Sequence, residues 1–315
     1  MKEFEYKHLR DAYGEILVEL GEKYKDIVVL DADLSSSTRT AKFGEKFPER
    51  FFNIGVSEQD LMSTAAGLAI AGKRPFVSTF AVFAAGRAWE QIRQSIAYAN
   101  VNVKIVASHG GITVGEDGAT HQMLEDFAIM RVLPNMKVFC PADYYETKIL
   151  IRKVFESDGP SYVRLSRAKF PVIFDETHDF EIGKAQVLKE GKDLTAVGVG
   201  ITVHGLLITA EELEKEGISI EVINSPSIKP LDGETILNSA RKTGKVFVAE
   251  EHSVIGGLGS AISEFLSQHY PTKMKFHGIK DIFGRSGNAT ELLRFYGLDP
   301  EGIKREIQKF LKDNA

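Results

Sequence analysis

The sequence predicts an α/β protein made of two doubly wound domains. Short apolar runs rich in β-branched residues alternate along the chain with longer runs whose apolar residues recur at helical spacing. This alternation is typical of mainly parallel sheets covered by helices on both faces. It is interrupted once and then begins again, and the 315 residues exceed what most single hydrophobic cores support.

The first series of alternations predicts a domain over residues 1–170. Its helices are predicted over 9–23, 59–71, 89–99 and 144–156, where apolar residues follow helical spacing. Its strands are predicted over 27–30, 76–79, 103–107, 138–140 and 162–165. Residues 171–190 contain Pro171, several charges and weak periodicity, so we expect them to connect the two domains.

A second, smaller doubly wound domain is predicted over residues 191–315. Its strands are predicted over 194–199, 219–223, 246–249 and 274–278. Its helices are predicted over 202–216, 233–241 and 258–268.

Composition argues against several classes of protein. The net charge of −5 provides no basic face for nucleic acid or anionic membrane. The N-terminal residues lack the apolar core of a signal peptide, and the longest apolar stretch is interrupted by glycines and too short to span a bilayer. The one cysteine, Cys140, cannot form an internal disulfide. We therefore expect a soluble, cytoplasmic protein that binds neither nucleic acid nor membrane.

Chemically active side chains are concentrated in segments that follow the predicted strands of the first domain. Because the C-terminal ends of parallel strands meet at one edge of a sheet, these segments can converge on one site. They are residues 31–37, 53–60, 80–87, 109–121 and 166–167. The candidate site is therefore predicted at this edge.

Glu58 lies in the first turn of a predicted helix. Ser57 and Asp60 are close to a capping box, and the helix macrodipole favours an acidic residue at this position. A purely structural role is the better interpretation of this segment taken alone. The functional alternative is a carboxylate directed from the start of the helix towards a nitrogen heterocycle.

Phe80 and Phe83 follow a predicted strand and are three positions apart. Aromatic pairs at this spacing are more often part of a core than of a ligand platform. Small residues beside them leave room for a planar ring, which is consistent with stacking of a pyrimidine.

The segment from Ser108 to Gln122 carries the strongest local signal. It contains two histidines, two acidic residues and four glycines within fifteen residues. The glycines allow the backbone to bend sharply and to approach a ligand closely, and His109 and His121 can exchange protons near neutral pH. The histidines are twelve positions apart, which does not favour a metal site. A glycine-rich loop with a solvated acidic tip is the structural alternative.

Arg167 follows the last predicted strand of the first domain. An arginine there can hold a substrate phosphate by bidentate hydrogen bonds, although a lone arginine is usually solvated. Arg10 and Ser37 can join it at the same edge. In the second domain, the glycines over 256–259 fit neither the dinucleotide fingerprint nor the P-loop, so close packing of a helix on a strand is the better interpretation.

Taken together and in order, these segments resemble the pyrimidine-binding and C-terminal domains of transketolase. The resemblance extends from about residue 10 to about residue 264, and includes Gly-Glu-Asp-Gly-Ala-Thr-His at 115–121. The segments that carry it are residues 31–34, 48–59, 78–80, 115–122, 133–136, 165–167, 229–232, 251–252 and 256–259. Several of them are shared with the deoxyxylulose-phosphate synthases, but their combination is specific to transketolase.

The resemblance implies thiamine diphosphate as cofactor. It implies that Glu58 hydrogen-bonds the aminopyrimidine ring and so activates the cofactor. Phe80 and Phe83 would stack on the same ring, with Asp33 nearby. The protein would position the cofactor, which carries the difficult chemistry.

The resemblance also implies a reaction, the transfer of a two-carbon ketol unit between sugar phosphates in the pentose phosphate pathway. His109 and His121 would bind the donor's oxygens and assist proton transfer, and Asp117 would select the configuration of the hydroxyl next to the carbonyl. The residues implied to hold the sugar phosphate are Arg10, Ser37 and Arg167.

A complete enzyme of this family also has a diphosphate-binding domain, with a Gly-Asp-Gly motif and an Asn-Asn region that holds the metal. The chain contains no such motif. The resemblance therefore implies a separate N-terminal transketolase subunit that holds magnesium and the diphosphate, with this chain as a homodimer within a heterotetramer. Gly86 departs from the family, since many full-length transketolases have a tyrosine there, and Arg87 can compensate.

Three alternatives remain. The β subunit of a 2-oxoacid dehydrogenase decarboxylase has similar length and the same two domains, but lacks the sugar loop. Deoxyxylulose-phosphate synthases normally carry the diphosphate domain in the same chain, which disfavours a fragment of one. A non-catalytic scaffold has no use for a complete set of reactive residues, here Glu58, His109, Asp117, His121 and Arg167.

Overall fold

A computed structural model describes residues 4–313, which form three β-sheets and the helices that connect and cover them. The strands are β1 (Tyr6–His8), β2 (Ile27–Asp31), β3 (Phe51–Asn53), β4 (Arg74–Ser78), β5 (Lys104–Ala107), β6 (Lys137–Phe139), β7 (Ser161–Arg164), β8 (Lys169–Pro171), β9 (Gln186–Lys189), β10 (Leu194–Gly198), β11 (Ile220–Asn224), β12 (Ser227–Lys229), β13 (Lys245–Ser253) and β14 (Lys273–Ile279). The α-helices are α1 (Leu9–Lys23), α2 (Ser35–Thr38), α3 (Ala41–Lys46), α4 (Glu58–Ile70), α5 (Trp89–Gln91), α6 (Asp126–Arg131), α7 (Tyr144–Glu156), α8 (Thr202–Glu214), α9 (Gly233–Thr243), α10 (Leu258–His269), α11 (Ala289–Phe295) and α12 (Pro300–Lys312). Pro48–Arg50 and Ile112–Asp117 are 3-10 turns, and Val82–Arg87 and Ile92–Tyr98 are π-helical.

The largest sheet has seven strands in the order β12-β6-β7-β5-β4-β2-β3, all parallel except β12. Both of its faces are covered. Val28 and Leu30 of β2 pack into a core with α4, whereas Ile27 and Val29 pack into a core with α1 and α7. This alternation follows from the two-residue period of a strand, and it explains why β2 is apolar throughout.

A second sheet has five strands in the order β14-β13-β10-β11-β9, of which only β9 is antiparallel to its neighbour. One core beneath it joins β10, β11 and β13 to α8 and α12. The two sheets confirm the predicted fold class of two doubly wound α/β domains.

The two halves of the chain share structural elements. β12 follows β11 in sequence but pairs with β6 at the edge of the first sheet, so that Ser227 lies opposite Phe139. β9 lies within the predicted connection 171–190. The first residue of that connection, Pro171, is the last residue of β8, which pairs with β1. The segment between the sheets therefore contributes hydrogen-bonded strands as well as a connection.

Several predicted elements have the observed bounds or nearly so. α1 and α7 coincide with their predictions, and α4 begins at Glu58, one residue earlier than predicted. The helix predicted over 89–99 is α-helical only in its first turn and continues as the π-helical segment Ile92–Tyr98. Between residues 4 and 313, no helix is both long and apolar enough to cross a membrane.

Candidate active site

Five adjacent strands of the first sheet end at one edge, which we call the active edge. These are β7, β5, β4, β2 and β3, and each is followed by one of the segments that the sequence singles out. Because all five strands are parallel, the segments after them lie side by side. The predicted convergence of these segments is thus a property of the fold.

Glu58 is buried at the start of α4, with an exposure of 2%. Arg87 Nη1 donates to its Oε2 over 3.5 Å. Ser57 is the N-cap residue but makes no side-chain capping hydrogen bond, so the capping role predicted for this segment is wrong. The N-terminus of the helix still favours a negative charge at this position, and burial sets Glu58 apart from a solvated first-turn acid.

Four rings, Phe80, Phe83, His109 and His121, form a ring cluster at the ends of β4 and β5. Phe80 stacks on His109, with 3.7 Å between ring centroids, and lies nearly parallel to Phe83 at 5.9 Å. His121 approaches the phenylalanines edge-on, at 5.5 Å from Phe83 and 6.4 Å from Phe80. Because His109 covers Phe80, the half-buried Phe83 is the ring with more surface for a ligand.

His109 is held in an unusual backbone conformation, with φ at 62°. Its Nδ1 shares a hydrogen bond of 2.9 Å with Ser108 Oγ. Burial lowers the pKa of His109 to about 3, and the nearby Arg10, Arg167 and His121 add to this effect. His109 is therefore neutral near pH 7, which differs from the predicted proton exchange at neutral pH.

Asp33 also has a positive φ, of 62°, and lies at the end of β2. Its Oδ1 accepts a hydrogen bond of 2.9 Å from Asn53 Nδ2, and its amide donates to Asn53 Oδ1 over 3.1 Å. The buried Asp31 beneath it accepts from the Thr38 and Thr40 hydroxyls at 2.7 and 2.8 Å. Asn53 therefore fixes the position of Asp33, and Asp31 holds the segment that follows it, roles that the sequence did not reveal.

The three residues implied to bind phosphate lie together. Arg10 is 8% exposed, and its guanidinium donates to the main-chain oxygens of Ser37 at 2.6 Å and Arg167 at 3.2 Å. Burial and the neighbouring Arg39 lower the pKa of Arg10 to about 10, so that it stays charged at neutral pH. Ser37 contributes its main-chain carbonyl to these contacts.

Arg167 connects this group to the loop after β5. Its Nη1 donates to Val114 O at 2.7 Å and to Glu116 Oε2 at 2.5 Å. The contact with Arg167 lowers the pKa of the exposed Glu116 carboxyl. Asp117, the next residue, is exposed at the tip of the same loop.

Three residues that were not predicted as functional hold this loop in place, two from outside it and one from within it. We call residues 108–122 the substrate loop. Glu251 Oε1 accepts from the Thr113 amide at 2.6 Å, and Arg164 donates to the main-chain oxygens of Met123 and Glu251 at 3.2 and 2.8 Å. Gln122 Nε2 donates to Ile112 O at 3.1 Å and to Arg285 O at 2.9 Å.

Two glycines of the substrate loop leave room for the buried side chains of Arg164 and Glu251. A Cβ atom at Gly110 would overlap Arg164, and one at Gly111 would overlap Glu251 and Arg164. Gly110 and Gly111 therefore let the backbone pack closely against the buried side chains of Arg164 and Glu251, while the predicted approach to a ligand stays a prediction.

In the second domain, the segment after β13 has a structural role. Glu250 accepts from the amides of Leu258 at 2.8 Å and Gly259 at 3.0 Å, at the start of α10. A Cβ atom at Gly257 would overlap Glu250. Close packing of the helix start, as predicted, accounts for these glycines.

Comparison with known proteins identifies related chains. The model of the transketolase pyrimidine-binding domain matches residues 5–172, and that of the transketolase C-terminal domain matches residues 183–303. A Methanocaldococcus jannaschii protein provisionally named as a transketolase C-terminal section is 52% identical over 312 residues, which cover 98% of this chain and 97% of that protein. A Clostridium sp. 6-deoxy-6-sulfo-D-fructose transketolase subunit is 42% identical over 297 residues, which cover 94% of this chain and 92% of that one.

A solved structure described as a split-gene transketolase, an inactive β4 tetramer, has the same fold. It is 52% identical in sequence and superimposes with a TM-score of 0.91, over 97% of this chain and 98% of that chain. The similarity to each of these three proteins extends over more than nine tenths of this chain.

Proposed function

Because the chain belongs to the transketolase family, we propose that it is the C-terminal subunit of a two-chain transketolase that transfers a two-carbon ketol unit between sugar phosphates. One observation carries the proposal. A buried carboxylate, a ring cluster and two arginines meet at the active edge, and each suits a different part of the reaction. Glu58 suits the cofactor, the histidines suit the sugar, and Arg10 with Arg167 suits its anionic end.

The active edge fits the pyrimidine part of thiamine diphosphate. Glu58 offers a buried carboxylate, and Phe83 offers an aromatic face with the Arg87 guanidinium 5.1 Å from its centroid. No atom lies within 4 Å of where a Cβ of Gly86 would be, so the surface three residues after Phe83 is open. When bound, the cofactor supplies the nucleophilic carbon that takes up the ketol unit. Glu58 would hold a proton at a ring nitrogen, and Asp33 would border the same pocket.

The sugar would lie above the substrate loop. His109, a neutral imidazole, would exchange hydrogen bonds with its oxygens, and His121 would assist proton transfer at the reacting carbon. Asp117 would contact the neighbouring hydroxyl. Arg10 and Arg167 would pair with the phosphate beside the main chain of Ser37, and Arg167 would leave Glu116 to do so.

The diphosphate and its magnesium ion would be held by a separate N-terminal subunit. Within residues 4–313, no group of three or more His, Cys, Asp or Glu side chains is arranged to hold a metal ion. The related split-gene structure, described as an inactive β4 tetramer, supports a requirement for a second kind of chain. We propose that this chain pairs as a homodimer within a heterotetramer in the cytoplasm and is inactive alone.

The test is reconstitution. The isolated chain is expected to show no ketol transfer from xylulose 5-phosphate to ribose 5-phosphate, and to gain it on addition of the N-terminal subunit, thiamine diphosphate and magnesium. Glu58→Gln should lower turnover by at least about 100-fold without loss of the fold, because the proton relay to the ring is lost. Asp60→Asn, an exposed acid in the same helical turn, is the matched control and should retain activity.

Two outcomes would contradict the proposal. Decarboxylation of pyruvate by the mixture, without ketol transfer, would assign the chain to a 2-oxoacid dehydrogenase. Near-normal turnover by Glu58→Gln would remove its assigned role.

A further inference from the structure

The substrate loop belongs to the first domain but rests on the second. Ile112 and Leu124, near its two ends, share an apolar core with Ile279, Leu292 and Leu298 of the second domain. The second domain therefore forms the floor on which the loop is built.

Among the described hydrogen bonds of residues 108–122, the one from Thr113 to Glu251 is the only one that joins the loop's backbone to a side chain of the second domain. Its Oε1 accepts from the Thr113 amide over 2.6 Å, and the residue is 6% exposed. Burial raises the pKa of the Glu251 carboxyl, and a carboxyl oxygen can accept from the amide in either protonation state. In the sequence, Thr113 lies midway between His109 and Asp117. The bond to Glu251 therefore holds the part of the loop that connects these two residues.

The surroundings of Glu251 are built for this contact. Arg164, 3% exposed, lies 3.5 Å from Asp126 and bonds the Glu251 carbonyl, which holds β13 against the first domain. Gly111, with φ at 79°, leaves the space that the Glu251 carboxyl occupies. A side chain at position 111 and the carboxyl of Glu251 cannot occupy the same place.

We propose that Glu251 is a positioning residue, through which the second domain sets the location of the substrate loop relative to the sugar. The carboxylate fixes the Thr113 amide, and the loop then presents His109, Asp117 and His121 together. This inference rests on the proposed function for the identity of the substrate, but the contact itself does not depend on it.

The experiment compares variants at two neighbouring glutamates in the reconstituted enzyme. Glu251→Gln keeps an oxygen that can accept from Thr113 and should stay within about threefold of the wild-type kinetic constants. Glu251→Ala, or Glu251→Met where a closer match in size is needed for folding, should raise the KM for xylulose 5-phosphate by at least about tenfold, with a smaller change in the Kd of thiamine diphosphate.

Glu250→Ala is the matched control. Glu250 is as buried as Glu251 and lies beside it, but it bonds the start of α10 instead of the loop. This variant should lose stability while its KM stays close to wild type. A purely structural role for Glu251 would give the two alanine variants the same kinetic profile, and that result would overturn the proposal.

A second readout needs no activity. Amide hydrogen exchange at Thr113 in the isolated chain should accelerate by at least about tenfold in Glu251→Met and stay unchanged in Glu250→Ala. Absence of ketol transfer by the wild-type mixture would refute the proposed function, whereas unchanged exchange at Thr113 in Glu251→Met would refute the positioning role.

Discussion

At the scale of single residues, two buried basic side chains at the active edge differ in charge: His109 is neutral and Arg10 is positively charged. Desolvation keeps His109 neutral, because the charged ring would lose its water. Arg10 is buried nearby but stays charged, because the ordinary pKa of its guanidinium is so high that the lowered value is still about 10. An anionic group is therefore attracted by Arg10, while His109 is left to exchange hydrogen bonds with hydroxyl groups.

The neutral state of His109 predicts a sensitivity to acid. The pKa of His109 falls from 6.5 to about 3 on folding, so between these values the unfolded chain binds a proton that the folded chain does not. The free energy of unfolding therefore decreases as the pH falls from about 6.5, by up to ~1.4 kcal/mol per pH unit for this residue. His109→Asn should lose less stability than the wild type between about pH 7.5 and about pH 4.5 in urea unfolding.

A matched variant at an exposed histidine, His269→Asn, controls for the removal of an imidazole as such. Equal losses of stability in wild type and His109→Asn would show that His109 takes up its proton equally in the folded and unfolded chains. Folding would then not lower its pKa.

At the scale of elements, the substrate loop is held in place even though it contains only a 3-10 turn. Its backbone turns at Gly111, Gly115 and Gly118, all of which have positive φ. Gln122, which donates to the Ile112 carbonyl, and Glu251, which accepts from the Thr113 amide, then fix these turns. Glycine content here reflects close packing, and the loop's order comes from polar contacts instead of regular secondary structure.

We predict that Gly111→Ala destabilises the protein by more than about 2 kcal/mol, since a methyl group there overlaps Glu251 and Arg164 and the positive φ adds strain. Gly67→Ala in α4 is the control. No atom lies within 4 Å of its added Cβ, so this substitution should be neutral or stabilise by up to about 1 kcal/mol. Chemical denaturation measures both variants, and similar midpoints for the two would argue against close packing at position 111.

At the scale of the whole molecule, buried contacts join the two domains at several places. Besides β12, Asn224 of β11 donates to Glu146 of α7 at 2.6 Å. Lys229 Nζ donates to Arg131 O at 2.9 Å. Arg164 and Glu251 add a third connection beneath the substrate loop. The domains therefore lose shared contacts when either of them unfolds.

These shared contacts predict a single unfolding transition. Trp89, the one tryptophan of the sequence, reports on the first domain, whereas far-ultraviolet circular dichroism reports on both. The two signals should follow coincident curves in denaturant. A tryptophan transition separated from the circular dichroism transition would show that the domains unfold independently.

Local patterns allowed much of this architecture to be predicted. α1 and α7 have regular apolar spacing, and the rule that active residues follow the C-terminal ends of parallel strands predicts the active edge. β12 was missed because three residues between Pro226 and Pro230 look like a turn. The bond between Thr113 and Glu251 joins residues 138 positions apart, and no local pattern indicates such a partner.

The position of β12 limits how the chain can be divided or recombined. A fragment that stops at Pro171 would expose the outer side of β6, and an unpaired strand edge is a template for aggregation. An excised first domain would need Ser227–Lys229 supplied by grafting or circular permutation. Recombination between related genes would therefore have to transfer both domains together to give a chain that folds.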